Sequence, residues 1–159
     1  MTRRLALLVA SVALLAFTGQ GAAGAAPGRL DIPKIGVHAQ VLEVGLTDSG
    51  SLAIGDRLRG TVYTWRNADP PCDPTGTTVY AGHAWRAGNG VADRWGSLRR
   101  GDRIHVSGCT FEVTRKELWS AKRSMKHLFT VGGPPQIVLI GCKTNDYSRR
   151  VVIFAEKVR

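Results

Sequence analysis

Cys142 ends the apolar run QIVLIG, and Arg149-Arg150 open the next apolar run, VVIFAEKV. Only the thiolate of cysteine is a strong nucleophile; nearby cations favour it, whereas apolar burial alone leaves a thiol inert. The two arginines stand across a short connection from Cys142, so the stretch pairs a nucleophile with guanidinium groups. Such chemistry needs an acid or base as well, and four histidines are available: His38, His83, His105 and His127. His38 and His105 lie within strand-like patterns and His127 in the weakly patterned KRSMKH. His83 is the candidate. It ends the apolar run TTVYAG directly after Gly82, and Gly88, Asn89 and Gly90 follow, so the backbone can approach closely at a strand end.

The 159-residue chain has three cysteines, Cys72, Cys109 and Cys142. Its N-terminus has the order of a secretory signal: Arg3 and Arg4, an apolar stretch from Leu5 to Phe17, then small residues with Ala23-Gly24-Ala25 as an A-x-A site. That stretch falls short of the ~20 residues that span a bilayer. The small residues to Ala26 lengthen it, so residues 1–25 are read either as a signal peptide or as an N-terminal membrane anchor. Either way the working domain, 29–159, is expected outside the cytoplasm, where conditions are oxidising and an odd cysteine count leaves one thiol over. Cys72 in NADPPCDPTG and Cys109 in VSGCTF sit in turn-rich loops and are candidate disulfide partners, which leaves Cys142 free. No cysteine pair has CxxC spacing and no acidic cluster suits calcium, so neither a metal nor another cofactor is expected.

Lys and Arg exceed Asp and Glu by ten, and by eight (20 − 12) once residues 1–25 are set aside. Two readings fit a basic exported domain: solubility alone, or work at a polyanionic surface such as acidic lipid or wall polymer. Nucleic acid does not fit, because the charges are scattered, no basic helix is present and the chain is exported.

The elements that must position these residues read as β. RLDIPKI and VHAQVLEV alternate apolar with polar; SLAIG, TVYTW, TTVYAGH, RIHVSG, TFEVTRKELW, QIVLIG and RVVIFAEKV are further short runs, separated by Gly, Pro, Asn and Asp. Eight to nine strands at this spacing indicate a single all-β barrel or sandwich. The one helical hint is VADRWGSLRR, where Val91, Trp95 and Leu98 recur at helical spacing.

TTVYAGHAW, IVLIGC and an arginine opening the last strand together resemble the sortases, exported cysteine transpeptidases of Gram-positive bacteria. RLDIPKIGVHAQVLEV is similar to the family's I-P-x-I-G opening, and DRWGSLRRGDRIHV to its short helix, L-x-x-G-D and following strand. The compact form looks most like actinobacterial class E or F sortases. The resemblance implies an eight-stranded sortase-type β-barrel with one or two short helices, acting as a monomer on the sorting-signal peptide of exported proteins. It further implies that Cys142 attacks an LPxTG-like signal to give a thioester, that His83 protonates the leaving amine and that Arg150 holds the oxyanion. An amine acceptor of the cell wall or a pilin, or water, then resolves the thioester. Arg149 is the alternative to Arg150; the two lie on opposite faces of a strand.

Two departures from the family pattern stand out. Gly141 replaces the threonine that sortases usually carry before the cysteine, and the connection KTNDYSR lacks the glycine-rich segment of many relatives. Gly141 is also what supports a rival reading, a catalytically silent sortase-fold protein or a basic cell-wall-binding barrel. Other wall enzymes fit less well. NlpC/P60-type peptidases place cysteine before histidine, and L,D-transpeptidases carry S-H-G-C-x-R, which IGCKTND lacks.

Overall fold

A computed structural model of the chain describes residues 28–55, 60–129 and 131–158. The reading of 1–25 as a leader or anchor falls outside them. Among the described residues there are eight strands: β1 (Arg29–Ile32), β2 (Val37–Val44), β3 (Thr61–Trp65), β4 (Thr77–Gly82), β5 (Arg103–Val106), β6 (Cys109–Ser120), β7 (Gln136–Lys143) and β8 (Asp146–Lys157). They close into a barrel in the order β1-β2-β3-β4-β7-β8-β6-β5, with β1 pairing to β5 to complete the ring. The β2/β3 and β4/β7 pairs are parallel and the others antiparallel. The expected ninth strand, around SLAIG, amounts to one bridge between Leu46 and Leu52.

Side-chain alternation divides the protein into two apolar layers. Leu30, Ile32, Ile104, Phe111, Ile137, Leu139 and Ile153 fill the barrel and are fully buried. The alternate residues of the same sheet, Val79, Val138, Ile140, Val152 and Phe154, point outward and form a second cluster with Trp119 and Leu128. Met125 and Phe129, from the connection between β6 and β7, pack on this outer cluster. Two burdened faces explain why β7 and β8 read as continuous apolar runs, whereas β1 and β2 alternate.

The helical spacing in VADRWGSLRR is realised as successive turns ending in a single 3-10 turn, Trp95–Ser97. Its bonds run from residue i to i−3: Trp95 N–H to Ala92 O, Ser97 N–H to Arg94 O and Leu98 N–H to Trp95 O. Val91, Trp95 and Leu98 are nevertheless all buried, with Trp95 and Leu98 fully enclosed. The segment acts as a plug in one end of the barrel. Two further 3-10 turns, Pro33–Ile35 and Lys126–Leu128, complete the helical content of the described residues.

Cys72 and Cys109 form a disulfide, with Cα atoms 5.7 Å apart. It ties the β3–β4 connection to the start of β6, and closing a loop of this length stabilises by about 4 kcal/mol in the chain-entropy account. Cys142 remains the free cysteine.

Candidate active site

Three adjacent strands bring the candidate residues to one edge of the sheet. β4 and β7 run parallel with Gly82 opposite Gly141, so His83, just past the end of β4, lies level with Cys142 in β7. β7 and β8 are antiparallel with Cys142 opposite Arg150, the last pair before the register shifts into the hairpin. Residues paired across a sheet share a face. The outward series are therefore Val79, Ala81 and His83; Val138, Ile140 and Cys142; Phe154, Val152 and Arg150. The three candidate residues lie at the end of these series, where Cys142 also packs on the inner cluster.

The two glycines have a common cause. A Cβ at Gly82 would lie 2.6 Å from Val91 Cγ1 and 2.8 Å from Trp95 Cη2, and one at Gly141 would lie 2.5 Å from Ala92 Cβ and 3.1 Å from Trp95 Cε3. The plug occupies the space that side chains at these positions would need. Gly141, where threonine is usual in sortases, is thus matched to Trp95 and Ala92 of its own chain. The departure is one of packing.

The plug also shapes the loop that follows His83. Asp93 accepts hydrogen bonds from Trp85 N–H on Oδ1 (2.7 Å) and from Gly90 N–H on Oδ2 (2.8 Å), and Ala92 N–H donates to His83 O (3.1 Å). Gly90 lies so close that a Cβ there would meet His83 O at 2.6 Å. Tyr63 packs edge-on against the imidazole, with ring centroids 6.1 Å apart.

Across the strand pair, Arg150 donates from Nη1 to Tyr147 O (3.1 Å) and Arg149 O (3.4 Å), which holds its guanidinium against the hairpin. The hairpin tip is braced in turn. Thr144 Oγ1 donates to Asp93 O at 2.8 Å, Ser148 Oγ to Asp146 Oδ1 at 2.6 Å and Lys143 Nζ to Asp146 Oδ2 at 3.2 Å. The Ser148 hydroxyl first, and then Lys143, hold the Asp146 carboxyl below the usual carboxylate range.

His83, Cys142 and Arg150 all line one groove of about 240 Å³. Its floor is Ala81, Gly82, Ile140 and Gly141; Leu52 and Ile54 form one wall, and Arg123, Met125 and Phe129 the other. Phe129 is steadied by an edge-on contact with Trp65 at 6.4 Å, and the Lys126 stem lies directly over Gly50, which brings the β6–β7 connection against the loop before Leu52. Larger hollows of about 500 and 670 Å³ lie elsewhere on the surface, but neither holds the free thiol.

Arg149 is exposed and does not line the groove; it pairs with Ser120 of β6. The other histidines are also elsewhere. His38 Nδ1 is 2.6 Å from Asp31 Oδ1 on the exposed side of β1 and β2, His105 Nδ1 is 3.0 Å from Thr110 Oγ1, and His127 packs on Trp119. Among the described residues no group of three or more His, Cys, Asp or Glu side chains converges on a point. Sequence reasoning did not identify Arg123, Phe129 or the Asp93 staple, which lie in connections between strands.

A family model described as "Sortase domain" matches residues 30–158. No curated protein matches the chain significantly. Among solved structures, sortase C-1 from Actinomyces oris is 22% identical at a TM-score of 0.67, covering 83% of this chain and 73% of that one. Sortase A from Listeria monocytogenes is 19% identical at 0.66, covering 86% and 89%. A sortase D5 transpeptidase from Clostridium perfringens is 20% identical at 0.62, covering 84% and 79%. The fold match extends across several sortase classes, and it singles out neither class E nor class F.

Proposed function

The chain belongs to the sortase family, and on that premise we propose that it is an extracytoplasmic cysteine transpeptidase acting on an LPxTG-like sorting signal. The Cys142 thiolate attacks the carbonyl carbon of the threonine; the C–N bond to the following residue breaks and a thioester forms. His83, as imidazolium, gives its proton to the leaving amine. Arg150 donates hydrogen bonds from its guanidinium to the oxyanion of the tetrahedral intermediate. An acceptor amine then attacks the thioester, the C–S bond breaks, the thiolate is restored and the proton released by the amine returns to His83. Water in place of the amine gives the carboxylic acid. No electrons are exchanged, and a thioester keeps the acyl group activated for the second transfer.

The observation that carries this reading is the register: Cys142 opposite Arg150, and His83 one residue beyond the Gly82–Gly141 pair, on a single groove. The apolar floor suits a peptide lying along the outer cluster. Residues 1–25 serve in this reading as the export signal or as the anchor that keeps the domain at the membrane face.

The test is incubation with LPxTG-like peptides and an amine donor, followed by mass spectrometry. The expected result is an acyl-enzyme and a transfer product in the wild type, both lost in Cys142→Ala. Equal inertness of the two proteins across a broad peptide panel replaces this reading with that of a silent sortase-fold barrel.

A further inference from the structure

Apart from the Cys142 thiol, the ionisable side chains that line the groove among the described residues are all basic. His83, Arg123 and Arg150 line it beside Cys142, and no Asp or Glu is among the described lining residues. The two arginines are held differently. Arg150 spends Nη1 on hairpin carbonyls. Arg123, on the wall between β6 and β7, is stacked by its face on the Trp119 ring, with its guanidinium carbon 3.7 Å from the ring centroid. Trp119 is itself buried and its indole N–H is fixed by Glu117, so the platform is firm. Among the described residues the ion pairs are Arg29–Asp31, His38–Asp31, Arg115–Glu117 and Lys143–Asp146, and none includes Arg123. Stacking occupies the face of a guanidinium and leaves its N–H edges, the donors that grip a carboxylate with two parallel bonds.

We propose that Arg123 is a specificity-determining residue that selects peptides carrying a carboxylate beside the scissile threonine. The inference rests on the transpeptidase reading and adds a substrate class to it. An acidic side chain in the groove meets a pre-positioned cation without a competing carboxylate, whereas a lysine there meets like charge. Discrimination of this kind depends on charge complementarity and weakens with salt.

The test compares three peptides, with Glu, Gln or Lys before the Thr-Gly pair, on the wild type and on Arg123→Glu. In the wild type kcat/KM should fall from Glu through Gln to Lys, by on the order of tenfold or more from end to end, and the spread should shrink in high salt. Arg123→Glu should reverse the order, and Arg123→Lys should keep it with a smaller spread. An identical order in wild type and Arg123→Glu, or no order in the wild type, overturns the proposal. The same peptides, fluorescently labelled, are titrated onto Cys142→Ala with and without Arg123→Glu. A binding preference that reverses with Arg123→Glu while the wild type turns over nothing sinks the transpeptidase reading and keeps the role of Arg123. Turnover without any charge preference does the opposite.

Discussion

The inner and outer faces of β7 and β8 differ in what they contain. Inside, Ile137, Leu139, Val151, Ile153 and Ala155 meet the barrel core, and Gly141 meets the Trp95 plug so closely that no Cβ fits. Outside, Val138, Ile140, Val152 and Phe154 meet a partial layer of loop residues, and the layer ends in an open groove at Cys142 and Arg150. One residue along a strand exchanges a closed environment for a reactive one. The inner face sets where the backbone lies, and the outer face carries whatever the backbone presents. Both faces therefore carry stability over most of these strands, and activity should separate from it only at their groove end, where Cys142 and Arg150 are half-buried.

The sharpest way to break that separation is on the outer face. Arg150→Ala should lower the transfer rate by about 10²–10³-fold, the range for losing an oxyanion donor, with little change in melting temperature. Arg149→Ala, on the exposed side of the same strand, should change the rate by less than about twofold. Peptide transfer assays and calorimetry on the pair check both statements; a large melting shift for Arg150→Ala would mean that the groove end carries the fold as well.

Next comes the inner face. Gly141→Thr restores the family's usual residue but drives a Cβ into Ala92 and Trp95, and overpacking of this kind costs about 1–3 kcal/mol. The melting temperature should fall by several degrees, and adding Ala92→Gly should recover part of the loss. A Gly141→Thr protein as stable as the wild type would show that the plug yields.

A smaller effect is expected at the groove wall. Phe129→Ala removes a half-buried ring that leans on Trp65, so it should raise KM several-fold while costing about 1 kcal/mol of stability. Steady-state kinetics and thermal melts read the two together.

The smallest effect concerns the hairpin tip. The folded-state pKa of Asp146 lies below its unfolded value, so its contribution is present above that unfolded value and is lost as pH falls through the folded one. Asp146→Asn should melt slightly below the wild type at neutral pH, and the two should converge in acid below about pH 4. A difference that persists at pH 2 would rule out the carboxylate as its source.

Much of this was legible in the residues. Strands of period two, Gly-His at the end of one run and Gly-Cys at the end of another announce a barrel edge, because their meaning is local. The loop cysteines announced their pairing in the same way. The groove walls were not legible: in AKRSMKHLF the contacts of Arg123, Lys126 and Phe129 go to Trp119, Gly50 and Trp65, and no periodicity encodes such pairings. Gly141 was legible as an oddity but not as a fit, since its partners Ala92 and Trp95 lie far off in sequence and only the closed barrel brings them together.

The Cys72–Cys109 bond has a bearing on the free thiol of Cys142, which it never touches. Cys109 begins β6, whereas Trp119, near the other end of that strand, pairs with Arg150 beside the groove. Ten residues of strand separate the two levels by roughly 30 Å, far beyond the ~7 Å that a disulfide bridges between Cα atoms. Of the three pairings that three cysteines permit, the finished barrel accepts one. Oxidative folding therefore has a built-in arbiter: a chain that locks Cys142 to Cys72 or Cys109 cannot complete the barrel, and a chain that completes it leaves Cys142 outside any internal bridge.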